Sequence, residues 1–493
     1  MWILEGTSHP GLSLPSVGAA LLQTPFVKES ASPETGPRQN DQAMRMRAIS
    51  SRAVVWHLAM LFVAMLDGCA NSPRPPQRPP APSTTVPAPS SPTPVAVGVQ
   101  LGIDVLEQQD FAILRGKRVG LLTHPAGVNR LGVPTVDVLR RDKRVNLVAL
   151  FGVEHGIRGE IPAGEKYDDH TDDRTGLPVF SLFSGRTRSA TPEQLRHIDV
   201  LVIDLQDIGT RSYTFISAML YQLEACFQNN IEVVVLDRPN PLGGLKVSGP
   251  IADPEWINYL AAYRIPYVHG MTIGELARFA VSEPGVMKIP DDVRRRGKLV
   301  VVPMRGWTRS MTWPQTGLRW IPTSPYIQTF EAVVGYPMTG LGAQLGGFRH
   351  GLGTPYAFRL LSHPSIPPAN LAAQLNARHL AGLTFVPRET VDAKGRPVAG
   401  VYVEVSNWTA WRPTELSFAM MQLACAAAAP RNPFALASKA DADLYNRHVA
   451  STAWWHALLR DGARVNLASF TAAWEQQAQA FQQRVRPFWL YPP

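Results

Sequence analysis

From Arg118 onward, short runs of Val, Ile and Leu alternate with amphipathic stretches, and this alternation limits the possible folds more than any other feature of the chain. Residues 119–123, 145–151, 200–205 and 231–236 are apolar on both faces, as strands covered from both sides must be. Between them, 134–141 and 215–228 carry apolar residues at helical spacing. Strand and helix in turn predict an α/β fold, a doubly wound parallel sheet with crossover helices. In such a sheet every strand ends on the same edge, so loops far apart in sequence converge on one crevice. The polar residues collect at those ends: His124 after the first strand, Glu154, His155 and Arg158 after the second, Asp204, Gln206, Asp207 and Arg211 at the third, and Asp237, Arg238 and Asn240 at the fourth.

The motifs missing from these loops narrow the chemistry. No Gly-x-Gly-x-x-Gly follows a strand, which disfavours a dinucleotide, and neither Gly-x-Ser-x-Gly nor Ser-x-x-Lys occurs, which disfavours the commonest serine acyl transfer. His-Glu-x-x-His is absent, and Cys69, Cys226 and Cys425 form neither a disulfide framework nor a zinc spacing. Carboxylates remain, surrounded by arginines, histidines and amides. That is equipment for cleaving a glycosidic bond, where an acid protonates the leaving oxygen while the sugar gains oxocarbenium character.

The front of the chain reads as an address. Ten prolines between Pro73 and Pro94 preclude helix and sheet, so 70–99 is expected to be an extended tether. Ahead of it, Arg45, Arg47 and Arg52 precede the apolar stretch 53–66, the layout of a secretory signal. Leu66-Asp67-Gly68-Cys69 then resembles a bacterial lipoprotein box, which makes 44–69 a lipoprotein-type signal with Cys69 as the lipidated residue. Residues 1–43 fit no part of that design and are read as preceding a true start at Met44 or Met46. The expected product is exported and lipid-anchored in the bacterial envelope, in the periplasm or at the outer membrane of a Gram-negative cell. Residues 1–68 hold five basic and five acidic side chains, so the net charge of +9 belongs to the remainder. Basicity in a surface-held protein suits an anionic polymer such as cell wall, and no nucleic-acid motif is present.

Gly152-Val153-Glu154-His155-Gly156-Ile157-Arg158-Gly159 gives a more specific signal. With it come Ala163-Gly164-Glu165, Thr175-Gly176-Leu177-Pro178-Val179, the 204–214 segment ending Arg211-Ser212-Tyr213-Thr214, Asp237-Arg238-Pro239-Asn240-Pro241-Leu242-Gly243-Gly244, His269-Gly270-Met271-Thr272, and Trp313 followed by Thr316-Gly317-Leu318. This ordered set, over roughly residues 100–345 and again at Phe481, Arg484, Leu490 and Tyr491, resembles the exo-β-N-acetylmuramidase family, glycoside hydrolase family 171. The resemblance implies a Rossmann-like domain, about 100–300, a smaller α+β C-terminal domain, about 301–493, and a pocket between them. It implies removal of N-acetylmuramic acid from the non-reducing ends of peptidoglycan fragments without metal or organic cofactor, and Glu154 matches the motif glutamate of catalysis.

Each candidate has a structural alternative. Glu154 is expected to be a general acid whose pKa is raised by partial burial, against a carboxylate that caps a loop or pairs with Arg158. His155 orients that carboxylate, binds substrate, or packs. Arg158, Arg211 and Arg238 are candidates for the lactyl carboxylate of muramic acid, against internal pairs with Asp204, Asp207 or Asp237. His124, Asp204, Gln206, Asp207, Tyr213, Asp237, Asn240 and His269 complete the candidate sugar-binding set, with Asn240 equally a turn residue. Thr272 and Glu275 have capping-box spacing. The cluster Asp168, Asp169, His170, Asp172 and Asp173 lacks a calcium-loop pattern and is read as a solvated loop. Trp307, Trp313, Trp320 and Tyr326 either stack on sugars or fill the core. Two departures from the family stand out: Ser324-Pro325-Tyr326 where relatives commonly have Ser-Pro-Asn, and Ala343 and Gln344 in a loop where relatives usually have glutamates. Those departures keep open a catalytically impaired cell-wall-binding lipoprotein, or a hydrolase of another amino-sugar conjugate.

Overall fold

The computed structural model describes residues 98–185 and 188–493; Cys69, the signal and nearly all of the tether lie outside them. The first part is built on seven strands: β1 (Arg118–Thr123), β2 (Asn146–Gly152), β3 (His170–Thr171), β4 (Pro178–Ser181), β5 (Val200–Asp204), β6 (Glu232–Leu236) and β7 (Leu299–Val302). They lie in the order β3-β4-β2-β1-β5-β6-β7, and every neighbouring pair is parallel except β3 with β4. β5 is buried at all five positions, which is why it reads as an unbroken apolar run. Helices α1 (Gly102–Gln108), α2 (Thr135–Arg141), α3 (Pro192–Leu195), α4 (Phe215–Gln228), α5 (Ile273–Ser282) and α6 (Asp291–Arg296) accompany the sheet. The strand order reverses beside β1, which pairs with β2 on one side and β5 on the other. Loops leaving β1 and β5 therefore part in opposite directions and open a crevice at their carboxyl ends.

The second part contains α7 (Phe330–Thr339), β8 (Leu360–Leu361), α8 (Pro368–Asn376), β9 (Leu383–Val391), β10 (Pro397–Val405), and α9 (Glu415–Ala427), α10 (Lys439–Val449), α11 (Thr452–Asp461) and α12 (Leu467–Val485). Its three strands form an antiparallel sheet in the order β8-β10-β9, beside a helical majority, and so the α/β part is followed by a smaller α+β part. One apolar cluster runs through both, from Phe151, Leu201 and Phe279 to Tyr336, Phe418 and Trp454.

The chain end is stitched into the first part. Tyr491 packs edge-on against Trp307, with ring centres 5.0 Å apart, and its hydroxyl donates to Asp237 while accepting from the Met304 N–H. The expected capping box opens α5: the Thr272 hydroxyl accepts from Glu275 N, and Glu275 Oε2 accepts from Thr272 N. The acidic cluster is not simply a solvated loop. His170–Thr171 forms the edge strand β3, Asp169 accepts from Ser181 N, and Asp172 is buried against Arg158.

Candidate active site

The loop leaving β2 carries Glu154. Its backbone turns sharply, with positive φ at His155 (78°), Gly156 (75°) and Gly159 (81°). His155 holds this conformation without being a glycine, a strain typically of about 1–3 kcal/mol that surrounding contacts must over-determine. Those contacts are present: His155 Nδ1 lies 3.1 Å from Ile161 O, and Ile161 N donates back to His155 O. A Cβ at Gly156 would stand 2.5 Å from Glu160 Oε1, so that position admits glycine alone without rearrangement.

Glu154 is 5% exposed and its Oε1 accepts from Gly164 N at 2.8 Å. It lines a concavity with His155, Ser212, Thr214, Tyr326 and Tyr336. Burial works to raise its carboxyl, but the neighbouring charges, His155 among them, and the Gly164 N–H outweigh it, so Glu154 is held below the ordinary glutamate value and not above it as expected from the sequence. His155 is lowered below the ordinary histidine value, mainly by burial, so its ring is neutral at physiological pH.

The segment after β5 forms the opposite wall. Thr214 precedes α4, whose positive end faces this concavity. Ser212 Oγ lies 2.8 Å from Tyr267 Oη and 3.3 Å from Tyr336 Oη. Tyr213 lines the concavity as a ring, its hydroxyl committed to Thr323 Oγ1 at 2.7 Å. The Tyr336 hydroxyl is pushed up to about 12, chiefly by burial, with the charges of Glu154 and Asp207 adding to the rise. Both carboxylates thus act on one phenol.

Asp207 is 6% exposed and is held through one oxygen only: Oδ2 accepts from Gly209 N at 2.7 Å and faces His269 Nε2 at 3.2 Å. His269 Nδ1 accepts from Met271 N, which places its proton on Nε2 and makes it the donor to Asp207. Asp207 Oδ1 is buried without a partner among the described residues, and so are Gln206 Oε1, His124 Nδ1 and Thr210 Oγ1. His124 Nε2 accepts from Gln206 N at 2.9 Å, and burial holds the ring neutral, far below its ordinary value. Buried polar atoms are normally paired. These four orphans lie at and just beyond the ends of β1 and β5, cut off from solvent.

Other predicted residues are structural. Asp204 and Arg238 form a bidentate pair, Nε to Oδ1 at 2.6 Å and Nη2 to Oδ2 at 2.8 Å, with both side chains at most 2% exposed. Arg238 also donates to Val128 O, and Asp204 accepts from the Thr135 hydroxyl, so together they lock β5, the β1 loop and α2. Asp237 accepts from Thr272, Gly274 N and Tyr491, capping α5; burial raises its carboxyl to about 6. Arg211 is wholly buried and donates to the carbonyls of Pro250, Ile265, His448 and Val449, the last two at the carboxyl end of α10. Asn240 bonds Met271 O and Leu242 N as a turn residue. Arg158 pairs bidentately with Asp172 at 3.0 and 2.8 Å, not with Glu154. The three arginines proposed for a sugar carboxylate are therefore engaged elsewhere, Arg158 and Arg238 by aspartates and Arg211 by backbone carbonyls.

The aromatic group divides. Trp307 is core, Trp313 and Trp320 pack edge to face at 4.9 Å, and Tyr326 stands 36% exposed on the rim beside Glu154. The loop with Ala343 and Gln344 packs on α9 through Gly342 and Gly346 and is not among the residues lining the Glu154 concavity. Glu331 is exposed in the first turn of α7. Ser212, Thr214 and Tyr336 were not singled out from sequence, although the first two stand in a quoted motif. A separate cleft of about 510 Å³ lies between α5 and α12, and its walls carry Arg264, Lys288, Arg484 and apolar residues but no carboxylate. Among the described residues, no group of three or more His, Cys, Asp or Glu is placed to hold a metal ion.

Residues 119–331 match the family described as "Exo-beta-N-acetylmuramidase NamZ, N-terminal", and 334–491 its C-terminal counterpart. The chain is 44% identical over 287 residues to the peptidoglycan beta-N-acetylmuramidase NamZ of Bacillus subtilis (strain 168), covering 58% of this chain and 67% of that one. The crystal structure of a DUF1343 family protein from Bacteroides fragilis NCTC 9343 superposes with a TM-score of 0.72 at 37% identity, covering 80% of this chain and 99% of that one. A second DUF1343 family protein of that strain, at 23% identity and a TM-score of 0.61 over the same shares, has the same fold. Motif loops, fold and these likenesses agree, and the chain belongs to the exo-β-N-acetylmuramidase NamZ family.

Proposed function

We propose that this protein is an exo-acting glycosidase that removes β-linked N-acetylmuramic acid from the non-reducing ends of peptidoglycan fragments, in cell-wall turnover. The observation that carries this reading is the pairing of two buried carboxylates, Glu154 and Asp207, with orphaned polar atoms of Gln206, His124 and Thr210 at one strand edge. Glu154, on the strained loop, donates its proton to the glycosidic oxygen. Asp207, fixed through Oδ2 by His269 and Gly209, leaves Oδ1 for the positive charge developing at the anomeric carbon. The orphaned amide and imidazole are suited to sugar hydroxyls, and Tyr326 offers an exposed ring at the rim.

Incubating the purified chain with muramyl-glucosamine disaccharide tests this: free N-acetylmuramic acid in the mass spectrum supports it, and binding without release overturns it. The basic front, apolar stretch and Leu66-Asp67-Gly68-Cys69 support export and acylation of Cys69, with the proline-rich segment as the tether. Mass spectrometry of membrane-extracted protein should find acyl chains that the Cys69→Ala variant lacks; unchanged membrane retention of that variant would refute the anchor.

A further inference from the structure

Arg158, Arg211 and Arg238 are engaged, yet the substrate proposed above differs from N-acetylglucosamine by a lactyl ether that carries its one carboxylate, and a site selecting that charge needs a cation. We infer that Arg188 is that cation: its guanidinium binds the lactyl carboxylate and sets the preference for muramyl over glucosaminyl sugars. This rests on the glycosidase reading and names how the same site chooses its substrate.

The guanidinium carbon of Arg188 lies 3.7 Å from the centre of the Phe183 ring and 4.9 Å from that of Tyr259. Its backbone is fixed by Gln222 Nε2, which donates to Arg188 O at 2.9 Å. Nη1 is buried with no hydrogen-bond partner among the described residues. A charged donor in that state has lost water without gaining an acceptor, which costs more than leaving a neutral donor unpaired. Two aromatic faces stabilise the cation but accept no N–H bond in its plane, so Nη1 keeps an unmet hydrogen bond that a planar anion could satisfy. Tyr259 joins this cation to the reaction centre: its ring carries Arg188, and its hydroxyl bonds Thr214, which lines the Glu154 concavity. The Glu154 charge also acts on the Tyr259 hydroxyl, so Tyr259 links Arg188 to the proton donor. Stacked guanidinium and planar carboxylate match bidentately, a geometry lysine does not reproduce.

The test is calorimetric titration of the full chain carrying Glu154→Gln, so that binding is read without turnover, using N-acetylmuramic acid and N-acetylglucosamine as probes. The expected result is a preference for the acid on the order of a hundredfold. Arg188→Met should abolish it while glucosamine affinity stays within about threefold, and Arg188→Lys should keep only part of it. Equal weakening of both sugars by Arg188→Met, or a surviving preference, would overturn the inference. A probe that needs no variant of Arg188 is the uncharged amide of N-acetylmuramic acid: it should bind about as weakly as glucosamine, and acid and amide binding alike would refute the assignment. Disaccharide cleavage by the unaltered chain is read separately, so failure of the glycosidase reading and failure of Arg188 as selector give different results.

Discussion

Replacing Arg238 with methionine should unfold the chain more readily while leaving its sugar affinity intact. The guanidinium makes two bonds to Asp204 and one to Val128 O, and the two side chains are 2% and 0% exposed. Arg238→Met would leave Asp204 as a buried charge with only the Thr135 hydroxyl for support, a loss of about 3–5 kcal/mol. Against the ordinary domain stability of about 5–15 kcal/mol, that is a large fraction. Urea unfolding followed by tryptophan fluorescence measures it. A second substitution, Asp204→Leu in the Arg238→Met background, removes the orphaned charge and should recover most of the loss, with about 1–3 kcal/mol remaining for the unsatisfied Thr135 and Val128 groups. KM for a muramyl substrate should stay within about twofold in the folded protein. A midpoint unchanged by Arg238→Met, together with a KM raised tenfold or more, would refute this reasoning and make Arg238 a substrate cation.

Three further outcomes are expected. His350 and His448 are buried and held at about 4 and about 3, below the unfolded value of 6.5, so their contribution to stability is present above pH 6.5 and is lost as pH falls toward those values. His350→Gln should flatten that slope by roughly 3 kcal/mol between pH 6.5 and 4, measured by unfolding midpoints; an unchanged slope would refute it. Asp237 acts oppositely: raised to about 6 by burial, it stabilises most below pH 3.8 and loses that effect as pH rises through 6, and Asp237→Asn should remove this component. Gly156→Ala should lower kcat about tenfold or more with a stability loss near 1–2 kcal/mol, because a residue with a Cβ is strained at its φ of 75° in the Glu154 loop; unchanged kcat would mean that the loop geometry does not position Glu154.

Four strands and two helices were legible in the sequence to within about a residue, since strands buried on both faces must be continuous apolar runs. The convergence of polar loops followed from the parallel arrangement. β3 was not legible, because a two-residue edge strand inside an acidic cluster has no period to read. The roles of Arg158, Arg211 and Arg238 were not legible either. Arginine suits a substrate carboxylate and an internal aspartate equally, and only coordinates show that Asp172, four backbone carbonyls and Asp204 hold them. Tyr336 escaped notice because its helix contains Gly335 and Pro337, which weaken the helical signal. Asp204 ends β5 sealed in an ion pair with Arg238, while Asp207, just past the strand, is held by Gly209 and His269 through one oxygen, a difference no strand pattern could give.

The proton donated by Glu154 is tested most directly by comparing two leaving groups on the same sugar. Aryl muramides with strongly acidic phenols leave without protonation, whereas the sugar alkoxide of the natural disaccharide does not. Glu154→Gln should therefore lose on the order of a hundredfold or more in kcat/KM on the disaccharide and far less on the dinitrophenyl substrate. Equal losses on both substrates, or full activity on the disaccharide, would contradict Glu154 as the acid.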